Sequence, residues 1–110
     1  MRAQDYIGPV WVASAALFAL AAQAQVIPQM AGQTPYSKVR QTLIAQGWTP
    51  VRQTQACGPV CSEHRRAGWT EAQHCADTGL APCIFVFRNA SGKLLEVVTS
   101  GESPQFNAYR

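Results

Sequence analysis

Four cysteines and two histidines supply most of the reactive chemistry in the chain: Cys57, Cys61, Cys75 and Cys83, with His64 and His74 set between them. Cys57-Gly58-Pro59-Val60-Cys61 is one residue longer than the Cys-Gly-Pro-Cys site of thioredoxins. In that site two intervening residues bring both sulfurs to a helix N-terminus and lower one thiol pKa. Three intervening residues, in a chain without regularly alternating strands and helices, point to a structural disulfide instead. Cys57, Cys61 and His64 form Cys-x3-Cys-x2-His, close to zinc-ligand spacing, and His74, Cys75 and Cys83 could complete a zinc or copper site. Such a site needs persistent thiolates, so the compartment decides between metal and disulfide. His64 or His74 with Glu63, Glu71 or Asp77 could perform acid–base chemistry, because histidine titrates near neutrality. No nucleophile-bearing elbow stands beside them, and both histidines are expected to be exposed.

The compartment is read from the first 26 residues. Arg2 and the chain amine make a weakly positive start, offset in part by Asp5, and Val10 to Ala22 carry no charge. As a helix that run spans about 20 Å at 1.5 Å per residue. The hydrocarbon core of a bilayer is about 30 Å thick and takes about 20 residues. Ala22-Gln23-Ala24 then presents the small-x-small pattern of a signal peptidase site. Residues 1–24 are therefore predicted to be a signal peptide cleaved before Gln25. No cysteine stands at the cut, so neither a lipid anchor nor a membrane anchor is expected afterwards. The product is placed in the periplasm or outside the cell, where paired cysteines persist.

Two disulfides follow from an even cysteine count in that compartment. Pairing Cys57 with Cys61 and Cys75 with Cys83 closes short loops, worth roughly 2 and 2.5 kcal/mol of chain entropy. The nested pairing, Cys57 with Cys83 and Cys61 with Cys75, is worth roughly 3 to 3.5 kcal/mol per bond. Entropy favours the nested form, whereas proximity favours the local one. Gly58-Pro59 and Thr78-Gly79 permit the turns that local closure needs. The balance tips towards local pairing.

Charge narrows the partners. Lys38, Arg40, Arg52, Arg65, Arg66, Arg88, Lys93 and Arg110 stand against Glu63, Glu71, Asp77, Glu96 and Glu102, giving the same net +3 as the whole chain. Apart from Arg65-Arg66 the charges are scattered. A nucleic-acid footprint clusters its basic residues on one face, so nucleic acid is not an expected partner.

The elements that must hold these residues are few. Residues 25–33 lack periodicity and are predicted to be a flexible leader. Thr34-Pro35 opens a helix, with threonine as cap and proline at the first position. Tyr36, Val39, Leu43 and Ile44 form its apolar stripe. Gly47 ends it in the left-handed conformation, with Trp48 folding back for core packing. A strand from Trp48 to Thr54 is confined by Pro50 to an edge or a strand start. Residues 55–82 are expected to be a turn-rich connection stapled by disulfides, with one or two helical turns capped by Thr70 and Gln73. Ile84–Arg88 and Lys93–Ser100 flank the turn Asn89-Ala90-Ser91-Gly92 and read as a hairpin. Asn89-Ala90-Ser91 also matches a glycosylation sequon, but the hairpin turn is its expected role. Residues 102–110 are read as a loose tail, with Phe106 and Tyr109 able to pack back onto the domain. The expectation is α+β: one N-terminal helix on a three-stranded, mainly antiparallel sheet, spanning residues 34–101.

Tyr36-x3-Arg40-x2-Leu43-x3-Gly47-Trp48-x-Pro50, then Cys75-x2-Thr78-Gly79-x3-Cys83-x-Phe85, then Val98-Thr99-x-Gly101-Glu102 resemble a group of small, uncharacterised bacterial periplasmic proteins. The resemblance covers most of residues 25–110 and implies location without activity. The helix ending at Gly47 and entering a strand is also similar to PASTA-type envelope modules, which generally lack these cysteines; the likeness is too short to imply peptidoglycan binding.

A domain this small has little room for a water-excluding pocket, so a non-catalytic binding or inhibitory module of the cell envelope is expected, with no cofactor. Its partner, an envelope protein, should meet residues 55–82. Arg65, Arg66, Trp69 and His74 are the candidate contacts, Trp69 as an exposed aromatic. The competing reading is a small exported redox or hydrolytic enzyme, or a metal-binding protein.

Overall fold

The structure is a computed structural model that describes residues 26–110. The signal-peptide assignment to residues 1–24 lies outside the described residues. The elements are α1 (Tyr36–Ala45), β1 (Thr49–Pro50), α2 (Gly58–Arg66), β2 (Ala72–Cys75), β3 (Cys83–Arg88), β4 (Leu94–Ser100) and β5 (Gln105–Tyr109). The domain is α+β, as expected, but it has two helices and five strands where one helix and three strands were predicted.

Period-two alternation builds the centre. Phe85 and Phe87 on β3 face the same way as Val97 and Leu95, their antiparallel partners on β4. All four are buried. Onto this face α1 lays Tyr36, Val39 and Leu43, each with no exposed surface, and Trp48 fills the adjoining space at 2% exposure. Burying side chains of this size contributes about 1.5–3 kcal/mol each. The fourth member of the apolar stripe, Ile44, lies outside the core at 43% exposure.

The helix stop forms as predicted. Gly47 adopts φ 95°. Its N–H donates to the carbonyl of Ile44, and the N–H of Trp48 donates to the carbonyl of Leu43. This is the Schellman pair of bonds, and it needs a residue free of the Cβ penalty at positive φ. The start differs from expectation: Pro35 is the cap residue and no side chain caps the helix. The Thr34 hydroxyl donates instead to the Ala31 carbonyl at 2.6 Å.

Three further expectations are corrected by long-range pairing. The tail is not loose, because Gln105–Tyr109 forms β5 on the free edge of β4, with Phe106 buried opposite Thr99. The leader is not loose either. The N–H of Gln33 donates to Phe106 O, and Phe106 N–H donates to Thr34 O. Trp48 Nε1 donates to Val26 O, and the Tyr109 hydroxyl to Pro28 O. Each apolar edge is thus covered by a segment distant in sequence. The expected strand Trp48–Thr54 shortens to β1, since β3 shares that one edge between β1 and β2. At the changeover Val86 accepts from Val51 N–H and donates to Glu71 O.

The stretch 55–82 is more ordered than predicted. It contains α2 and β2, and Thr70–Gln73 enters β2 rather than a helix. The cysteines pair locally, Cys57 with Cys61 and Cys75 with Cys83. The first bond spans the opening turn of α2, and the second joins directly opposed residues of β2 and β3.

Candidate functional site

The site grows from a ring cluster at the junction of α1, α2 and β3. The Tyr36 ring stacks on Phe85, with centroids 3.8 Å apart, and makes a T-shaped contact with Trp69 at a centroid separation of 4.9 Å. Trp69 lies 5.3 Å from the imidazole of His64. Tyr36 reaches this position because it starts the α1 stripe; Trp69 does so because Gly68, at φ 112°, turns the chain after α2.

Beneath the rings sits Glu71, fully buried. It accepts a 2.6 Å hydrogen bond from the Tyr36 hydroxyl and a 2.8 Å bond from Arg40 Nε, with Arg40 Nη2 at 3.4 Å. A carboxylate here requires such partners, because an unpaired buried charge costs several kcal/mol. Burial first, then the neighbouring carboxylate, pushes the Tyr36 phenol far above its ordinary value of 10. Tyr36 is therefore a fixed donor over the whole physiological range. Nothing in the sequence marks Glu71 as buried: Tyr36 and Arg40 lie one turn apart on α1, and their partner is 31 or more positions away.

Above the rings opens a cleft of about 680 Å³, within the usual range for ligand sites. One wall is α2, contributing Val60, Glu63, His64 and Ala67. Opposite are Ala76, Asp77 and Ala81 from the loop clamped by Cys75–Cys83, and Glu102 to Pro104 close the rim. Trp69 and Tyr36 lie between them. Each disulfide thus anchors one wall.

His64 was expected to be exposed, but it is half-buried. Its Nε2 is buried without a hydrogen-bond partner. Burial lowers its pKa below 6.5, against a smaller upward pull from Glu63. A neutral imidazole is the outcome at pH 7. Among the described residues no hydroxyl or thiol hydrogen-bonds to its Nε2.

The metal alternative meets a specific obstacle. His64, Cys75 and Cys83 place one potential ligand atom each within 4.8 Å of one another. Both sulfurs are already bonded to each other, and zinc binds thiolates. The Cys57–Cys61 sulfurs are likewise paired, and no described cysteine is free.

The four predicted partner contacts do not behave alike. Trp69 lines the cleft and is half-buried against the rings, not free-standing. Arg65 turns its guanidinium inward, donating to Ala72 O at 2.8 Å and Gln55 O at 2.6 Å. Arg66 is exposed at the end of α2, and His74 is exposed on β2; neither lines the cleft. The acidic residues Glu63, Asp77 and Glu102 do line it. They are separated by many positions, so no sequence pattern announces them. Asn89 plays the expected turn role: its Oδ1 accepts from Ser91 N, Ser91 Oγ and Lys93 N.

Together the fold and site define a small disulfide-stapled α+β domain with one aromatic-floored cleft among the described residues that unites both stapled segments. No protein-family profile, curated protein or solved structure matches the chain. Two disulfides suit an oxidising, non-cytoplasmic environment. Among the described residues no helix is long and apolar enough to cross a membrane.

Proposed function

We propose that this chain is an exported, non-catalytic recognition module of a bacterial cell envelope, which takes a segment of a partner protein into the cleft. The observation that carries the reading is the construction of the cleft: both walls come from residues 58–81, and a disulfide fixes each. A preformed, rigid surface loses little conformational entropy on binding, which is where recognition sites gain affinity. Location in the periplasm rests on the N-terminal segment and the motif resemblance, and the paired cysteines are consistent with it.

Site-specific photo-crosslinking in the producing cell tests the reading. A photoreactive residue at Ala67, inside the cleft, is expected to trap a discrete adduct that the same residue at Leu94, on the distant hairpin, does not. Identical products at both positions, or none at Ala67, refute it.

One observation favours a redox carrier as the second reading. Cys57 is the cap residue of α2 and only partly buried, so the leading sulfur of Cys57–Cys61 sits at a helix N-terminus, where a thiolate is stabilised. A Cys57–Cys61 bond that stays oxidised in a glutathione buffer eliminates that reading.

A further inference from the structure

The charge of the cleft opposes the charge of the molecule. The described residues hold five side-chain carboxylates: Glu63, Glu71, Asp77, Glu96 and Glu102. Glu71 is paired with Arg40 and Glu96 with Arg110. The remaining three, which have no ion-pair partner among the described residues, all line the same cleft, and no lysine or arginine lines it. This happens in a chain of net charge +3.

Resting on the reading of the cleft as a recognition surface, we propose that its ligand is a cationic side chain on an apolar stem: an arginine or lysine of a basic segment in the partner protein. Trp69 lines the cleft, and a guanidinium is attracted to an indole while its stem packs against apolar walls. Val60, Ala67 and Ala81 supply those walls. Glu63, Asp77 and Glu102 at the opening attract the charge and steer its approach. The carboxylate of Asp77 also lies near Gly58, where the N-terminus of α2 offsets part of its charge. His64, the remaining titratable group of the lining besides the fixed Tyr36 phenol, is neutral at pH 7 and adds no repulsion.

Titration of the isotope-labelled protein with three nine-residue peptides, followed by amide and indole NMR signals, tests the proposal. One peptide carries three arginines among glycines and serines, the second replaces arginine by the neutral isostere citrulline, and the third by glutamate. The arginine peptide is expected to shift the signals of Glu63, Asp77, Glu102 and the Trp69 indole. It should bind about tenfold tighter than the citrulline peptide, a ratio set by three exposed charges and reduced by added salt. The triple variant Glu63→Gln, Asp77→Asn, Glu102→Gln changes only exposed side chains. It should bind the arginine peptide no better than the parent binds citrulline. Equal affinity for arginine and citrulline at these signals overturns the cationic assignment while leaving a cleft that recognises shape. Shifts confined to other surfaces, or none with any peptide, also overturn it, and the crosslinking at Ala67 then judges the cleft separately.

Discussion

Substituting Arg40 by methionine removes the cation from the Glu71 carboxylate while keeping an apolar stem of similar reach. Glu71 has no exposed surface, whereas the Arg40 side chain keeps 27% of its own. Removing one partner of a fully buried pair costs about 3–5 kcal/mol. Arg40 is partly solvated, and the Tyr36 hydroxyl still donates to the stranded carboxylate, so about 2–3 kcal/mol is expected here. In a domain of this size each kcal/mol moves the melting temperature by about 4–8 °C, so the midpoint should fall by about 10–20 °C. Glu71→Gln keeps an acceptor for Tyr36 but can turn its amide N–H₂ towards Arg40, donor against donor. It should cost about 1–2 kcal/mol. In the Glu71→Gln background no charge remains to be stranded, and Arg40→Met should cost less than about 1 kcal/mol. Urea unfolding of the four proteins, followed by far-ultraviolet circular dichroism, completes the cycle. A coupling of about 1 kcal/mol or more is expected. Single costs that add to within about 0.5 kcal/mol, the ordinary limit for independent sites, would show that Glu71 does not depend on Arg40 and refute the reasoning. The cycle bears on the cleft as well, because Tyr36, held by Glu71, carries the ring against which Trp69 rests.

Three other outcomes follow from the same structure. Under limiting phosphine reductant, Cys57–Cys61 should open before Cys75–Cys83, because Cys57 is partly accessible while Cys75 and Cys83 are 4% and 1% exposed; alkylation and peptide mass mapping reads the order, and simultaneous opening contradicts it. Because the His64 pKa is lower in the fold than its ordinary 6.5, the unfolded chain binds the extra proton first. Stability should therefore rise with pH from the lowered value up to about 6.5 and then level off. His64→Leu should remove that part of the slope, and an unchanged slope excludes His64 as its source. Deleting residues 105–110 strips β5 and the buried Phe106, and it should leave a chain without a cooperative unfolding transition; a truncated form that melts like the parent would show that β5 is dispensable.

How much of this was legible in the sequence varies with the distance over which each feature is decided. The α1 stripe of Tyr36, Val39 and Leu43, the Gly47 stop, the Asn89–Gly92 turn and the alternation of Phe85 and Phe87 are set by neighbours within a few positions. They could be read directly; the local closure of Cys57–Cys61 and Cys75–Cys83 was favoured only by proximity and turn residues, against the chain entropy of the nested pairing. The second helix was hidden by composition: Gly58-Pro59 signals a turn, yet Pro59 at the start of α2 gives up no hydrogen bond there. The two ends of the domain were misread as loose because a strand without strong alternation is made by its partner. Residues 105–109 become β5 only because β4 presents an open edge, and residues 33–35 only because β5 then presents another.

The sequence by itself determined the α+β class, the hairpin core and the number of cysteines available to staple it, since these depend on period and composition. The tertiary structure decided which charges are neutralised and which stay open. Glu71 and Glu63 are the same side chain eight positions apart, and nothing local separates them. One is sunk beneath Tyr36 and met by Arg40; the other stands at the mouth of a cleft with Asp77 and Glu102. An ionised group is priced by the water and partners around it, and those come from segments the chain brings together only on folding.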